Sequence, residues 1–258
     1  MRMKSWMAVW LIGLCVLGGV SCSEDEKVED VYPLTFEKGS YRLRLNLPQS
    51  IPVLGGSKSY SLQVGDPEVL EAKITFLSTI GFGEIEVTPK QKGRTAMLVT
   101  DQVSGETKKL DVEVTDFYMG FSIVESSDAS LPVGEALFFV ENEKHDCFLI
   151  RQNDDISLPV LDVAGRGDYA FSVEEGLPYL TLHLQAEDSE TPETRVFDIS
   201  ASKMEIMVAL NRWYGLEWDA LRLRSASRPE STFLIMKDAK NTIRCRVIGT
   251  DLPEELVR

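Results

Sequence analysis

The sequence predicts a mostly β protein: a β-sandwich followed by a second β-sandwich or barrel-like domain with one packed helix. Three observations carry this expectation. Apolar and polar residues alternate over short runs, the period of two that a half-buried strand requires. Turn residues such as Gly, Pro, Asn and Asp interrupt those runs about every eight to twelve residues. A single segment changes to helical spacing.

Taken in chain order, residues 1–21 read as a lipoprotein signal peptide. Arg2 and Lys4 make a positive start, and Trp6 to Val20 form an apolar run of 15 residues. A bilayer-spanning helix needs roughly 20, so a cleaved leader is expected rather than a permanent span. The stretch Leu17-Gly-Gly-Val-Ser-Cys22 resembles the lipobox of bacterial lipoproteins, with Gly19 where the usual pattern has Leu. That resemblance implies lipid attachment, palmitate among the acyl groups, at Cys22. The acidic run Ser23-Glu24-Asp25-Glu26 resembles the export tag of surface lipoproteins in the Bacteroidota. It implies a lipid-anchored protein of the outer membrane, exposed at the cell surface. One acyl chain holds a protein only marginally, at ~0.8 kcal/mol per buried CH₂; bacterial lipoproteins carry two or three. Ordinary secretion, with Cys22 incidental, is the alternative.

Residues 22–37 are acidic at their start and lack periodicity, which suits a tether. From Tyr41 the alternation begins. Tyr41, Leu43, Leu45 and Leu47 predict a strand, the Leu54-Gly-Gly-Ser turn follows, and Tyr60, Leu62 and Val64 predict another. Further runs cover Val69–Phe76, Ile85–Val87, Ala96–Thr100 and Leu110–Val114, with turns at Gly65-Asp-Pro, Gln91-Lys-Gly-Arg and Ser104-Gly105. This number of short strands suggests a sandwich over residues 38–116.

Four passages add a resemblance. Lys58-Ser-Tyr-Ser-Leu-Gln-Val-Gly-Asp-Pro-Glu-Val, Ile85-Glu-Val-Thr-Pro-Lys-Gln-Lys-Gly, Met97-Leu-Val-Thr-Asp and Leu110-Asp-Val-Glu-Val together resemble a bacterial Ig-like domain. The resemblance covers about residues 38–115 and implies an Ig-like β-sandwich. It carries over no catalytic residue, since such domains serve as spacers or adhesive modules.

Residues 117–258 resemble no family. Strand patterns lie at Phe121–Val124, Ala136–Val140, Cys147–Arg151, Tyr169–Val173, Tyr179–Leu184, Val196–Ile199, Phe233–Met236 and Ile243–Ile248. Between the sixth and seventh, Ile206, Ala209, Leu210 and Trp213 share a helical face. Ser202 with Glu205 predicts a capping box, and Gly215 predicts the stop. Spacing alone does not decide between a sandwich and a closed barrel.

Composition narrows the function. The net charge of −14 becomes −16 once Arg2 and Lys4 leave with the leader, so nucleic acid is not an expected partner. His145 and His183 have no second His or Cys at metal-ligand spacing, and no metal or cofactor is expected. The phosphate loop, the dinucleotide fingerprint and the Gly-x-Ser-x-Gly elbow do not occur, so an enzyme is not expected. The acidic turn Asn153-Asp154-Asp155 lacks the oxygen spacing of a calcium loop, and Glu187–Glu193 reads as a solvated hairpin tip. Cys147 and Cys245 have two options in an exported chain: a disulfide, or burial as separate thiols.

Trp213, Tyr214 and Trp218 make the one aromatic group with binding potential. Trp213 lies on the helix stripe and is expected in the core. Trp218 lies past Gly215: either it staples the following loop, or with Tyr214 it is the candidate contact for a glycan or protein ligand. The functional expectation is therefore a binding or adhesive module held to the membrane by its N-terminal lipid. The alternative is a structural or accessory subunit of an outer-membrane uptake or appendage complex.

Overall fold

The computed structural model describes residues 32–76, 82–152, 161–187, 189–218 and 233–257. The leader, Cys22 and the Asn153–Asp155 turn lie outside these residues.

The N-terminal half builds two sheets. One has the order β1-β7-β6-β3, from β1 (Ser40–Arg44), β7 (Thr107–Thr115), β6 (Gly93–Asp101) and β3 (Tyr60–Val64). The other has the order β2-β5-β4, from β2 (Gln49–Val53), β5 (Gly83–Pro89) and β4 (Leu70–Thr75). Strand β1 runs parallel to β7, while the other pairs are antiparallel. Alternation decides the packing. Leu43, Met97, Val99, Leu110, Val112 and Val114 point inward from the first sheet, and Ile51, Val53, Leu70, Ile85 and Val87 from the second. They form one buried cluster, so the two sheets make a sandwich. Strand β2 was not legible in the sequence because Pro52 interrupts it. Proline has no amide to donate, and here it sits exposed on an edge strand, where sheets tolerate it.

The C-terminal half is a closed barrel of β8 (Phe117–Ser126), β9 (Glu135–Glu141), β10 (Asp146–Gln152), β11 (Leu161–Glu174), β12 (Leu177–Ala186), β13 (Glu193–Asp198), β14 (Leu234–Lys237) and β15 (Thr242–Ile248). Neighbours in sequence pair antiparallel, and β15 closes on β8. The weakest seam is β13–β14, with one paired position, Asp198 with Lys237. An eight-stranded barrel is just wide enough for side chains to fill. Phe121, Phe139, Leu149, Tyr169, Leu180 and Phe197 fill this one, each 3% exposed or less. Closure depends on Gly167 in β11: a Cβ there would lie 1.7 Å from the His183 carbonyl oxygen. Only glycine lets β12 approach so closely.

The two cysteines project into this interior and remain free. The pairing of Cys147 with Cys245 does not form, because β8 and β9 separate β10 from β15 around the wall. Burial pushes the Cys245 thiol up to about 12 and raises that of Cys147 as well. Both behave as small hydrophobes.

Helix α1 (Met204–Tyr214) joins β13 to β14 and buries Ile206, Met207 and Leu210 against the barrel core. Gly215 ends it in the left-handed conformation (φ 65°), its N–H donating to the Leu210 carbonyl. The capping box does not form. Lys203 is the N-cap and contributes no side-chain bond; Ser202 instead accepts the Ile235 N–H at 2.9 Å and donates to the Ile235 carbonyl at 3.2 Å. Glu205 pairs with Lys203 at 3.3 Å. Ser202 thus ties the helix entry to β14 rather than satisfying the helix itself.

Only Asp116 separates β7 from β8. A second apolar layer lies on the outside of the barrel wall beside this junction. There Tyr118, Phe138, Val140 and Ile150 receive Leu252 and Val257 of the C-terminal segment. From β1, Arg42 donates to the Leu252 carbonyl at 3.1 Å and to Glu254 at 3.2 Å. Arg44 donates to the Tyr118 carbonyl at 3.2 Å, with its guanidinium 4.1 Å over the Tyr118 ring. Lys92 reaches Asp116 at 3.0 Å. The C-terminal segment therefore clamps sandwich to barrel.

Candidate binding surfaces

The richest constellation lies at the barrel end that α1 covers. Antiparallel connection brings Phe117, Glu141, Asp146 and the β11–β12 turn to this one end. Phe139, Tyr169, Phe171 and Tyr214 meet edge to face or tilted, with centroids 5.0–5.7 Å apart, and Phe117 stacks on Trp213 at 4.6 Å. Tyr214 donates to the Phe139 carbonyl at 2.8 Å, and burial holds its phenol well above the ordinary value. Tyr169 donates to the Val140 carbonyl at 3.2 Å and to Glu141 at 3.1 Å. Burial raises its phenol too, so both tyrosines stay protonated and work as anchors for the cap.

The roles expected for the two tryptophans are exchanged. Trp218 is 7% exposed and belongs to the barrel core, its indole N–H donating to the Gly176 carbonyl at 3.2 Å. Its ring is enclosed by the core rather than turned to solvent as expected. Tyr214 is half-buried and packs against the same core. Trp213 is half-buried instead of enclosed, held between the Phe117 stack and the Arg212 guanidinium 4.7 Å from its ring. The reason is angular: α1 turns Ile206, Met207 and Leu210 to the barrel, which carries Trp213 to the margin.

Each histidine stands beside a carboxylate. His145 sits in a left-handed turn position (φ 53°) with Nδ1 3.7 Å from Glu141. His183 meets Asp168 at 2.6 Å on the exposed outer wall. Among the described residues, no three His, Cys, Asp or Glu side chains converge as a metal site. Between β12 and β13, Glu187, Glu190, Thr191 and Pro192 are exposed.

Two features escaped the sequence reading. At the opposite barrel end, the Arg195 side chain is only 13% exposed and bridges Asp128 and Asp238, the latter at 2.7 Å. Pairing with Arg195 holds the Asp238 carboxyl below its usual range. The adjoining cavity, lined by Ser130, Leu131, Leu182, Leu184, Glu193 and Arg195, has a volume of ≈ 70 Å³. It has room for a few waters. The second feature is a groove of ≈ 410 Å³ where Arg42 and Arg94 pair with Glu113 and Glu254. Opposite charges on alternate strand positions were visible, but their pairing across 160 residues was not.

No protein-family model matches the sequence, and no curated protein is similar to it. Among solved structures, domains 5–6 of the S-layer protein SbsC superimpose with a TM-score of 0.28 at 10% identity, over 64% of this chain and 95% of that one. A longer piece of SbsC gives 0.30 at 11% identity, over 67% of this chain and 24% of that one. Overlap at this level does not establish a shared fold. What the geometry itself offers is a filled barrel, so any recognition falls to its exterior and its two ends.

Proposed function

We propose that this chain is a lipid-anchored cell-surface binding module, in which an Ig-like sandwich holds the barrel away from the outer membrane. The observation that carries the reading is the polarity of the sandwich. The chain enters it beside the β2–β3 loop, where Tyr32 bridges to Gly56, and β8 leaves it from the opposite end. A lipid at Cys22 would therefore hold the far end of the sandwich. Strand β7 has nine residues and spans about 30 Å at ~3.3 Å per residue, which sets the lift given to the barrel. The Arg42, Arg44 and C-terminal contacts at the junction favour a stiff spacer over a hinge. The barrel would bind a glycan or another protein on its outer surface, since its interior is occupied. No catalytic step is part of this reading.

The test begins at Cys22. In cells fed labelled palmitate, the wild-type chain should take up label and fractionate with membranes, and Cys22→Ala should be unlabelled and released. Label retained in Cys22→Ala rejects the anchor. Protease added to whole cells should cleave the wild-type chain; full protection with intact lipidation rejects surface exposure.

A further inference from the structure

The sandwich end away from the barrel is unlike the rest of the surface. Tyr32 is 56% exposed, Leu54 49%, Phe76 56% and Val103 67%. They come from four separate segments: the entering chain, the residue after β2, the residue after β4 and the β6–β7 turn. Half-buried rings stand against two of them. Phe82 meets Tyr32 edge to face at 5.6 Å, and Tyr60 stacks on Phe76 at 6.2 Å. The Lys58 ammonium stands 5.7 Å from the Phe82 ring.

This patch is held in shape. Asp101, fully buried, accepts from the Ser57 hydroxyl at 2.7 Å, from the Val103 N–H at 2.9 Å and from the Ser104 N–H at 3.1 Å. Tyr60 donates to the Gly55 carbonyl at 2.6 Å. Gly56, at φ 93°, leaves no room for a Cβ, which would lie 2.6 Å from Asp101. The β2–β3 and β6–β7 loops are fixed with Leu54 and Val103 outward. Exposed apolar clusters of this kind mark contact surfaces.

What covers the patch follows from where the chain goes. Tyr32 is a member of the patch, and Cys22 stands ten residues before it. Ten residues reach at most about 35 Å when extended, and roughly 18 Å as a flexible coil. A lipid at Cys22 thus keeps this end, and not the barrel, beside the headgroups. Tyrosine and other aromatic rings favour that depth, and a lysine stem can lie along the apolar surface with its ammonium in water.

We infer that the aromatic end formed by Tyr32, Leu54, Phe76, Phe82 and Lys58 docks on the lipid surface and sets the sandwich upright on the membrane. The inference rests on the anchored reading above. Its driving force is apolar, because a chain of net charge −16 after leader removal gains nothing from anionic lipid. Docking should therefore persist in high salt, where surface electrostatics are screened.

The experiment separates docking from lipidation by replacing residues 1–22 with a hexahistidine tag, which tethers the otherwise complete chain to vesicles of phosphatidylcholine and nickel-chelating lipid. Brominated acyl chains supply the quencher. Phe76→Trp should show strong quenching that survives 0.5 M salt, while the native chain, whose tryptophans lie in the barrel, stays unquenched. Adding Leu54→Ser and Tyr32→Ser should lower the docked fraction about tenfold per residue removed. Urea melts of each variant confirm that it is folded. Absence of quenching in folded, tethered Phe76→Trp overturns the inference, and Cys22 plays no part in that result. A dimer of the untethered chain that Phe76→Ser dissociates would assign the patch to a second copy and overturn it equally.

Discussion

The exchange of roles between Trp213 and Trp218 gives the sharpest test of the barrel's packing. Trp218 is 7% exposed, lies in the main core cluster and donates to Gly176 at 3.2 Å. Truncation to Ala removes a whole buried indole, which costs roughly 3–5 kcal/mol. Loss of the hydrogen bond is included in that range, since the Gly176 carbonyl sits at a turn where water can replace the indole. Trp213 has less to lose. Its half-burial, its stack on Phe117 and its contact with Arg212 together suggest about 1–2.5 kcal/mol. For a unit of this size, each kcal/mol moves the melting temperature by roughly 2–4 °C. Urea melts followed by far-UV circular dichroism, which does not depend on the lost fluorophore, give both differences. Trp218→Phe should recover most of the loss, because it restores ring volume without the donor. The packing argument fails if Trp213→Ala proves as costly as Trp218→Ala. A Phe117→Ala, Trp213→Ala double-mutant cycle should give a coupling near 1 kcal/mol, and a coupling of zero would mean that the stack contributes nothing.

Other expectations follow from single residues. Burial opposes ionisation of Asp101, yet hydrogen bonds from Ser57, Ser104 and Val103 outweigh it and lower the carboxyl to about 2. Its stabilising effect is therefore complete above its ordinary value of 3.8 and fades as pH falls toward 2. Asp101→Asn should destabilise by on the order of 2 kcal/mol at pH 7, and the gap should close near pH 2 in acid titrations of stability. Gly167→Ala should abolish the soluble barrel, since its methyl would meet the His183 carbonyl at 1.7 Å; a soluble variant with native circular dichroism would contradict the strand approach. Cys147 and Cys245 should resist a thiol reagent in the folded chain and react fully in denaturant; reaction in the folded chain as fast as in denaturant would refute their burial.

The sequence made strands legible wherever one face is wet. Alternation located β3, β6, β7 and β12 because their outward residues are polar. Where both faces are covered it found the strand but not its facing: β9, read at Ala136–Val140, is buried at every position but its last, since the C-terminal segment packs on its outer side, and the pattern there carries no phase. In β11 it reached only Tyr169–Val173, because Gly165 and Gly167 look like strand breakers but serve to let β12 come close. Barrel closure was illegible for a further reason. It depends on β15 meeting β8 across more than 100 residues, and strand spacing does not encode which edges meet.

The candidate contacts were harder to read than the strands, and the cause is specific. Helical phase correctly assigned Ile206 and Leu210 to the core, but a stripe wider than the barrel mouth left Trp213 at its margin. Trp218, past the helix stop, had no periodic neighbours from which to infer its direction. The outward aromatics at the far end of the sandwich had the opposite problem: Phe76 closes a strand pattern and looks like core. What distinguishes it is that β4 ends at Thr75, so Phe76 lies one residue past its strand, where its ring stacks on Tyr60. A core aromatic is buried by its own sheet, whereas one carried beyond the sheet must be covered by something else. Because the chain that leads back to Cys22 starts among these residues, the nearest cover that the anchored reading supplies is the lipid surface itself.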